Sequence, residues 1–354
     1  MHIIINLILF VLILGIIVFV HEFGHFIFAK LMGVYVYEFS IGMGPRLFGW
    51  KSKNGETDYN VRLIPIGGFC SLAGEDVEND DKSIKKDRKL QAKKPWQRFL
   101  IMFMGPGFNF LLALIIFFFI GLIGAPSTEP ILYGTVKNYP AYSSGLSKGD
   151  LIKSINGHNI YTMDDVSLYL AVADHKKPVS IKVEKKDGSI KTYNINSKKK
   201  TVKVSGQKQT TYKYGISLKT KTKKGLGNAI SYMFVKTGSL FRQMFITVGY
   251  LFTGKVGLND LSGPVGIYSI VGEEASQGFA ALVYLLAYLS INVGFLNLLP
   301  LPAFDGGHIL FIIIELIKGS PVKPETEAKV HTVGFALLMI LMIVITINDI
   351  LRFL

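Results

Sequence analysis

Between residues 3 and 20 the chain carries no charged side chain, and the apolar run continues through Phe26, Ile27, Phe28 and Ala29. That length suffices for an α-helix to cross a bilayer, which takes roughly 20 residues at about 1.5 Å each. In hydrocarbon every backbone polar group must be satisfied within the segment, so such a run is committed to helix. Comparable runs follow at 99–124, 280–299 and 330–351. The expected fold class is a polytopic α-helical membrane protein of about four transmembrane helices, with the lipid bilayer as its first partner.

The segments between these runs set the organisation. Residues 1–30 form the first transmembrane helix and 31–98 a mixed region rich in glycine, ending in a charged loop. Residues 99–124 are the second crossing. From 125 to about 225 the chain is soluble in character. Val179-Ser180-Ile181-Lys182-Val183 and Lys191-Thr192-Tyr193-Asn194-Ile195 alternate as strands do, with Asp187-Gly188 as the turn between them. Residues 226–252 place apolar side chains at helical spacing, but Lys236, Arg242 and Gln243 interrupt them, which favours an amphipathic helix lying in the interface. Residues 280–317 read as the third crossing, its inner end broken by Pro300, Pro302, Gly306 and Gly307, since 308–317 is too short to span. The last crossing is 330–351.

The formal charge of +14 shows no basic stripe interleaved with base-stacking aromatics, so nucleic acid is not an expected partner. Its distribution reports topology instead. No Lys or Arg precedes the first run, whereas Lys30, Arg46, Lys51 and Lys53 follow it. Lys93, Lys94 and Arg98 precede the second, and Lys318, Lys323 and Lys329 the last. The positive-inside bias places 31–98 and 318–329 in the cytosol, with the soluble middle region and both termini outside. Cys70 is the only cysteine, so neither an intrachain disulfide nor a cysteine metal cluster can form. The N-terminus has no basic n-region and no small-x-small site, as a cleavable signal would.

The first run ends in His21-Glu22-Phe23-Gly24-His25. Residues four apart share a helix face, so His21 and His25 can offer two imidazoles to one Zn²⁺. Glu22 then lies beside an open position, where it can take a proton from water. A catalytic zinc wants a third protein ligand. The distant candidates are Asp305, His308, Glu315, His331 and Asp349. Asp349 falls at the outer end of its span, and Glu315 is expected to pair with Lys318. Asp305 follows the proline break, where irregular backbone at membrane depth must line a cavity or be buried in protein. It is the best candidate, with His308 the alternate, although Asp305 can equally serve as a helix N-cap. If 226–252 were a true crossing, Asp305 would lie on the opposite side from the histidines. Asn297, in an otherwise apolar stretch, can bond a neighbouring helix or hold substrate. Asn109 reads as structural, beside Gly105 and Gly107.

These motifs carry a resemblance. His21-Glu-Phe-Gly-His25 and Asn297-Leu-Leu-Pro-Leu-Pro-Ala-Phe-Asp305-Gly-Gly-His308 resemble the site-2 proteases, intramembrane zinc metalloproteases, and specifically their bacterial RseP/RasP type. Pro65-Ile-Gly-Gly-Phe69 with Gly74-Glu75, Gly105-Pro-Gly-Phe-Asn109, and Leu258–Gly266 fit as well. Phe304 stands where the family commonly has leucine. The resemblance implies His21, His25 and Asp305 as zinc ligands and Glu22 as the catalytic acid/base. Pro140–Gly157 is similar to the bacterial PDZ signature, with Ser144 in place of alanine, implying one extracytoplasmic PDZ domain over 127–218.

The expected activity is cleavage of single-pass membrane proteins in the bacterial cytoplasmic membrane, with the active site toward the cytosol. By likeness to the family, anti-sigma factors or signal-peptide remnants are the substrates. A helical substrate must unwind before attack, and strand addition to an enzyme edge would supply the backbone partners it loses. Residues 34–48, with Gly42 and Gly44, are expected to form that edge as a membrane-associated β element. A non-catalytic PDZ-bearing scaffold is the alternative, and it leaves Glu22 unexplained.

Overall fold

The computed structural model describes residues 2–75, 83–204, 207–218, 222–255, 257 and 261–353. Leu258, Asn259 and Asp260, which open one family-like motif, and residues 76–82 of the charged loop lie outside these. The chain forms two compact units, one from Met1–Ile116 with Leu261–Arg352 and one from Phe117–Asp260.

In chain order the first elements are α1 (His2–Leu31), β1 (Val36–Lys51), β2 (Asp58–Leu72) and α2 (Pro95–Gly124). Next come β3 (Ala125–Pro126), β4 (Gly134–Thr135), α3 (Pro140–Ser143), β5 (Leu151–Ile155), β6 (His158–Asn159) and α4 (Met163–Ala171). Strands β7 (Val179–Glu184), β8 (Ile190–Ile195), β9 (Lys198–Val204), β10 (Gln207–Lys213), β11 (Ile216–Ser217) and β12 (Thr222–Lys223) follow. The chain closes with α5 (Leu226–Phe252), α6 (Pro264–Gln277), α7 (Phe279–Asn297), α8 (Asp305–Lys318) and α9 (Pro324–Phe353). Among the described residues four helices, α1, α2, α7 and α9, are long and apolar enough to cross a membrane. The chain is a polytopic membrane protein.

In the first unit, α1 packs on α6 and α7 through Ile13, Ile17, Val271, Leu285 and Leu289. Buried Asp349 of α9 accepts the backbone N–H groups of Gly263 and Gly266 at 2.9 and 2.8 Å. A carboxylate there satisfies the orphan donors at the start of α6. Between α7 and α8, Pro300 and Pro302 offer no N–H, and Ala303 adopts a positive φ of 74°. The helix after the break begins at Asp305 rather than 308, and its N-cap position is held by Phe304. Asp305 is therefore its first residue and not its cap.

Strands β1 and β2 each bend, so their antiparallel pairing builds a four-rung sheet. Residues 36–41 lie between 68–72 on one side and 58–61 on the other, and 48–51 pair the far side of 58–61. The unit is tied to the end of α1 by Glu56, which accepts from Lys30 Nζ at 2.5 Å and Arg88 at 2.9 Å.

In the second unit, β6-β5-β7-β8 form an antiparallel sheet whose inward residues, among them Ile152, Ile155, Val179, Ile181 and Val183, are wholly buried. The turn at Gly188 has the positive φ (81°) that a hairpin of this kind needs. Helix α4 opens with a capping box between Thr162 and Asp165. The charges that mark α5 as a poor crossing are engaged on α4: Lys236 Nζ reaches Asp164 at 2.7 Å, and Arg242 donates twice to Asp165, at 3.0 and 2.8 Å. Ile230, Phe234, Phe245 and Phe252 of α5 are left exposed.

Burial alone would raise the pKa of Glu56, but hydrogen bonds from Lys30 and Arg88 outweigh it and hold the carboxyl below its usual range. A lowered folded pKa stabilises the fold above the unfolded value and loses that contribution as pH falls. Thermal melting of the detergent-solubilised protein is expected to fall as pH drops below about 4.5, and Glu56→Gln is expected to lower the melting point at pH 7 and flatten that dependence.

Candidate metal centre

The His21 and His25 rings project from one face of α1, both buried. Space for them comes from α2. A Cβ on Gly24 would overlap the Met104 backbone, and a Cβ on Gly105 would overlap the His25 ring. Glycine at both positions lets the helix axes approach closely. The carbonyl of Ile101 accepts from His25 Nδ1 at 2.8 Å. A carbonyl can only accept, so Nδ1 carries the proton and the neutral ring keeps its Nε2 lone pair for a ligand.

Asp305 completes the set. Its Oδ2 lies 3.2 Å from His21 Nε2 and its Oδ1 3.4 Å from His25 Nε2, while the two Nε2 atoms stand 3.1 Å apart. The glycines after it are needed: a Cβ on Gly306 or Gly307 would run into the carbonyls of Leu299 or Leu301. Ligand atoms about 2.1 Å from a tetrahedral centre stand about 3.4 Å apart, so the three edges match one face of a zinc tetrahedron. Asp305 Oδ2 is buried with no hydrogen-bond partner. A carboxylate facing imidazole lone pairs inside protein is poorly satisfied without a cation. The residues fit the metal.

Glu22 sits beside β2: its Cγ is 3.7 Å from where a Cβ on Gly68 would stand. Segment 68–72 pairs with 36–41 on one side and with no strand on the other among the described residues. The expected edge over 34–48 is thus corrected for its first half, since 36–41 is paired on both sides. Gly42 and Gly44 take positive φ values of 85° and 81°, and a Cβ on Gly42 would meet the Ile64 carbonyl. They shape the bend of β1. Asn297 is half-buried in the last turn of α7. In the sequence Gly68 stands only within the family-like motif Pro65–Phe69 and carries no role of its own, because only long-range strand register brings it to Glu22.

Peptidase family M50 matches residues 9–341. The chain belongs to peptidase family M50. A Clostridium perfringens protein with a provisional zinc-metalloprotease name is 40% identical over 323 residues, 91% of each chain. The zinc metalloprotease RasP of Bacillus licheniformis is 33% identical over 98% of this chain and 99% of its own. The regulator of sigma-W protease RasP of Bacillus subtilis is 34% identical over 98% of both.

Other residues weighed as ligands of this M50 chain go elsewhere. His308 bonds Glu327 at 3.0 Å and stacks on His331, whose Nδ1 accepts from the Ala303 N–H at 3.1 Å. Glu315 pairs with Arg98 of α2 at 2.5 Å and not with Lys318, because the tertiary partner reaches it in a half-buried site. Asp349 is committed to α6.

Gly105→Ala is expected to displace the His25 ring and cut the zinc retained by purified protein at least about tenfold, as loss of metal-site support does. Metal analysis after dialysis checks this. A Gly107→Ala control, whose added methyl would meet flexible Met104 and Phe103 side chains, is expected to keep its zinc.

Proposed function

We propose that this M50 peptidase is an intramembrane zinc metalloendopeptidase that cleaves single-pass membrane proteins in the bacterial cytoplasmic membrane. The family match and the zinc-metalloprotease names of its relatives support the enzyme class and the metal. The convergence of His21, His25 and Asp305 within 3.4 Å, on helices apolar enough for lipid, carries the intramembrane reading. Zinc held by His21, His25 and Asp305 would supply Lewis acidity toward a peptide carbonyl and a water molecule.

Glu22 takes the proton of the attacking water and returns it to the leaving amine. An unwound substrate needs partners for its exposed peptide groups, each of which costs several kcal/mol in lipid. The free side of 68–72, next to Glu22, is placed to supply them by strand addition. Asn297, Gly42 and Gly44 complete the substrate contacts of this reading. Exposed Met43, Leu47, Phe48, Trp50 and Ile64 at the far end of the β unit favour its insertion in the membrane. The basic flanks orient the site toward the cytosol and 127–218 outward.

The second unit is read as a PDZ domain on the Pro140–Gly157 signature, the four-stranded sheet and the helix α4 beside it. Outside the membrane it would admit only substrates already trimmed by another protease. With the sigma-W regulator name of the Bacillus subtilis relative, anti-sigma factors are the favoured substrates, and signal-peptide remnants a second class.

Glu22→Gln is expected to keep its zinc and lose about 10²- to 10⁴-fold in cleavage of a transmembrane test substrate, the usual contribution of a general acid/base. Single-pass fragments should accumulate in the membrane proteome of cells carrying it. Unchanged proteome and cell physiology in that variant would favour the scaffold reading instead.

A further inference from the structure

Helices α1 and α2 run antiparallel past each other in a register that pairs residues one by one. Gly105 stands opposite His25, and Asn109, one turn on along α2, stands opposite His21, one turn back along α1. His25 has its outer partner in the Ile101 carbonyl. His21 Nδ1 meets the Asn109 side chain, whose amide nitrogen lies 3.5 Å away. Asn109 is wholly buried, and its Oδ1 has no hydrogen-bond partner.

Oxygen and nitrogen of an amide are assigned from the hydrogen-bond network. With nitrogen toward Nδ1, the imidazole would have to carry its proton on Nε2, the atom that faces Asp305 and His25. A half-turn of the amide puts Oδ1 against Nδ1 instead. The buried oxygen then gains a donor, and the His21 Nε2 lone pair is freed toward Asp305. We propose that Asn109 is the positioning residue of the metal centre: its side-chain carbonyl accepts the His21 Nδ1–H and so fixes the tautomer and ring plane in which Nε2 binds zinc. The sequence Gly105-x-x-x-Asn109 is thereby the structural mate of His21-x-x-x-His25, one residue leaving room for a ring and the other orienting its partner.

Asn109 is itself held. The Ser290 hydroxyl of α7 donates to its backbone carbonyl at 2.8 Å, and a Cβ on nearby Gly294 would strike Phe110 and the Pro106 carbonyl. Helix α7 runs directly into the break that carries Asp305. The helix that holds the orienting residue is thus the one that leads, through the break, to the third ligand at the start of α8.

This inference rests on the zinc reading above, and its test separates the two. Zinc affinity is measured by chelator competition on the purified full-length protein, with Asn109→Ala, Asn109→Asp and Asn109→Leu compared with the parent and with Glu22→Gln. Asn109→Ala is expected to bind zinc about 10- to 100-fold more weakly, the usual effect of losing an outer-shell partner. Asn109→Asp, isosteric and able to accept the same proton, is expected to stay within about threefold of the parent, well short of that loss. Asn109→Leu, similar in volume and without a hydrogen-bonding group, should follow Ala and replaces it if Ala disturbs packing. Parent-like affinity in the Ala or Leu variants, or an Asp variant as weak as they are, overturns the positioning role. A parent and Glu22→Gln that hold no stoichiometric zinc overturn the metal centre itself.

Discussion

The close approach of α1 and α2 at Gly24 and Gly105 is the contact on which the rest of the site depends. Two imidazoles cannot stand in an apolar helix bundle without room, acceptors for their outer N–H groups and a charge partner. The glycines provide room, the Ile101 carbonyl and the Asn109 amide orient the rings, and Asp305 supplies the charge. Gly24 lies on α1 between the two histidines, and the others come from successive turns of α2 or from across the α7–α8 break. A shift of one residue in the α1–α2 register would dismantle the set.

The break between α7 and α8 is the second requirement. A continuous helix would carry its backbone groups satisfied and would have no carboxylate aimed sideways at α1. Pro300 and Pro302 end the hydrogen-bond ladder, Ala303 takes a left-handed conformation, and Gly306 and Gly307 let α8 start against the carbonyls it has just left. The Ala303 N–H is satisfied by His331 of α9, so the strained turn is held from outside its own segment. The β unit then brings a backbone edge to Glu22, where a substrate would have to surrender its own hydrogen bonds.

Much of this was legible in the sequence for identifiable reasons. Long charge-free runs leave a membrane segment few options, so the crossing helices stand out. HExxH carries its own geometry, and Asp305 stands out because irregular backbone at membrane depth needs a cause. Less legible was whatever depends on contacts remote in sequence. Strand alternation cannot show that 36–41 would be flanked on both sides and that 68–72 would be the edge by Glu22. Local spacing suggested Lys318 for Glu315, whereas Arg98 holds it from α2. Asn109 read as packing because its partner is known only from helix register. Lys236 and Arg242 stand out in the sequence as charges within an apolar helix, but their engagement with Asp164 and Asp165 of α4 had no local signature.

X-ray absorption at the zinc edge of the purified protein tests the centre most directly. The account predicts nitrogen and oxygen neighbours only, at about 2.0–2.2 Å, with two imidazoles in the outer-shell scattering and one oxygen lost in Asp305→Ala. A sulfur neighbour near 2.3 Å, or a spectrum that Asp305→Ala leaves unchanged, would contradict it.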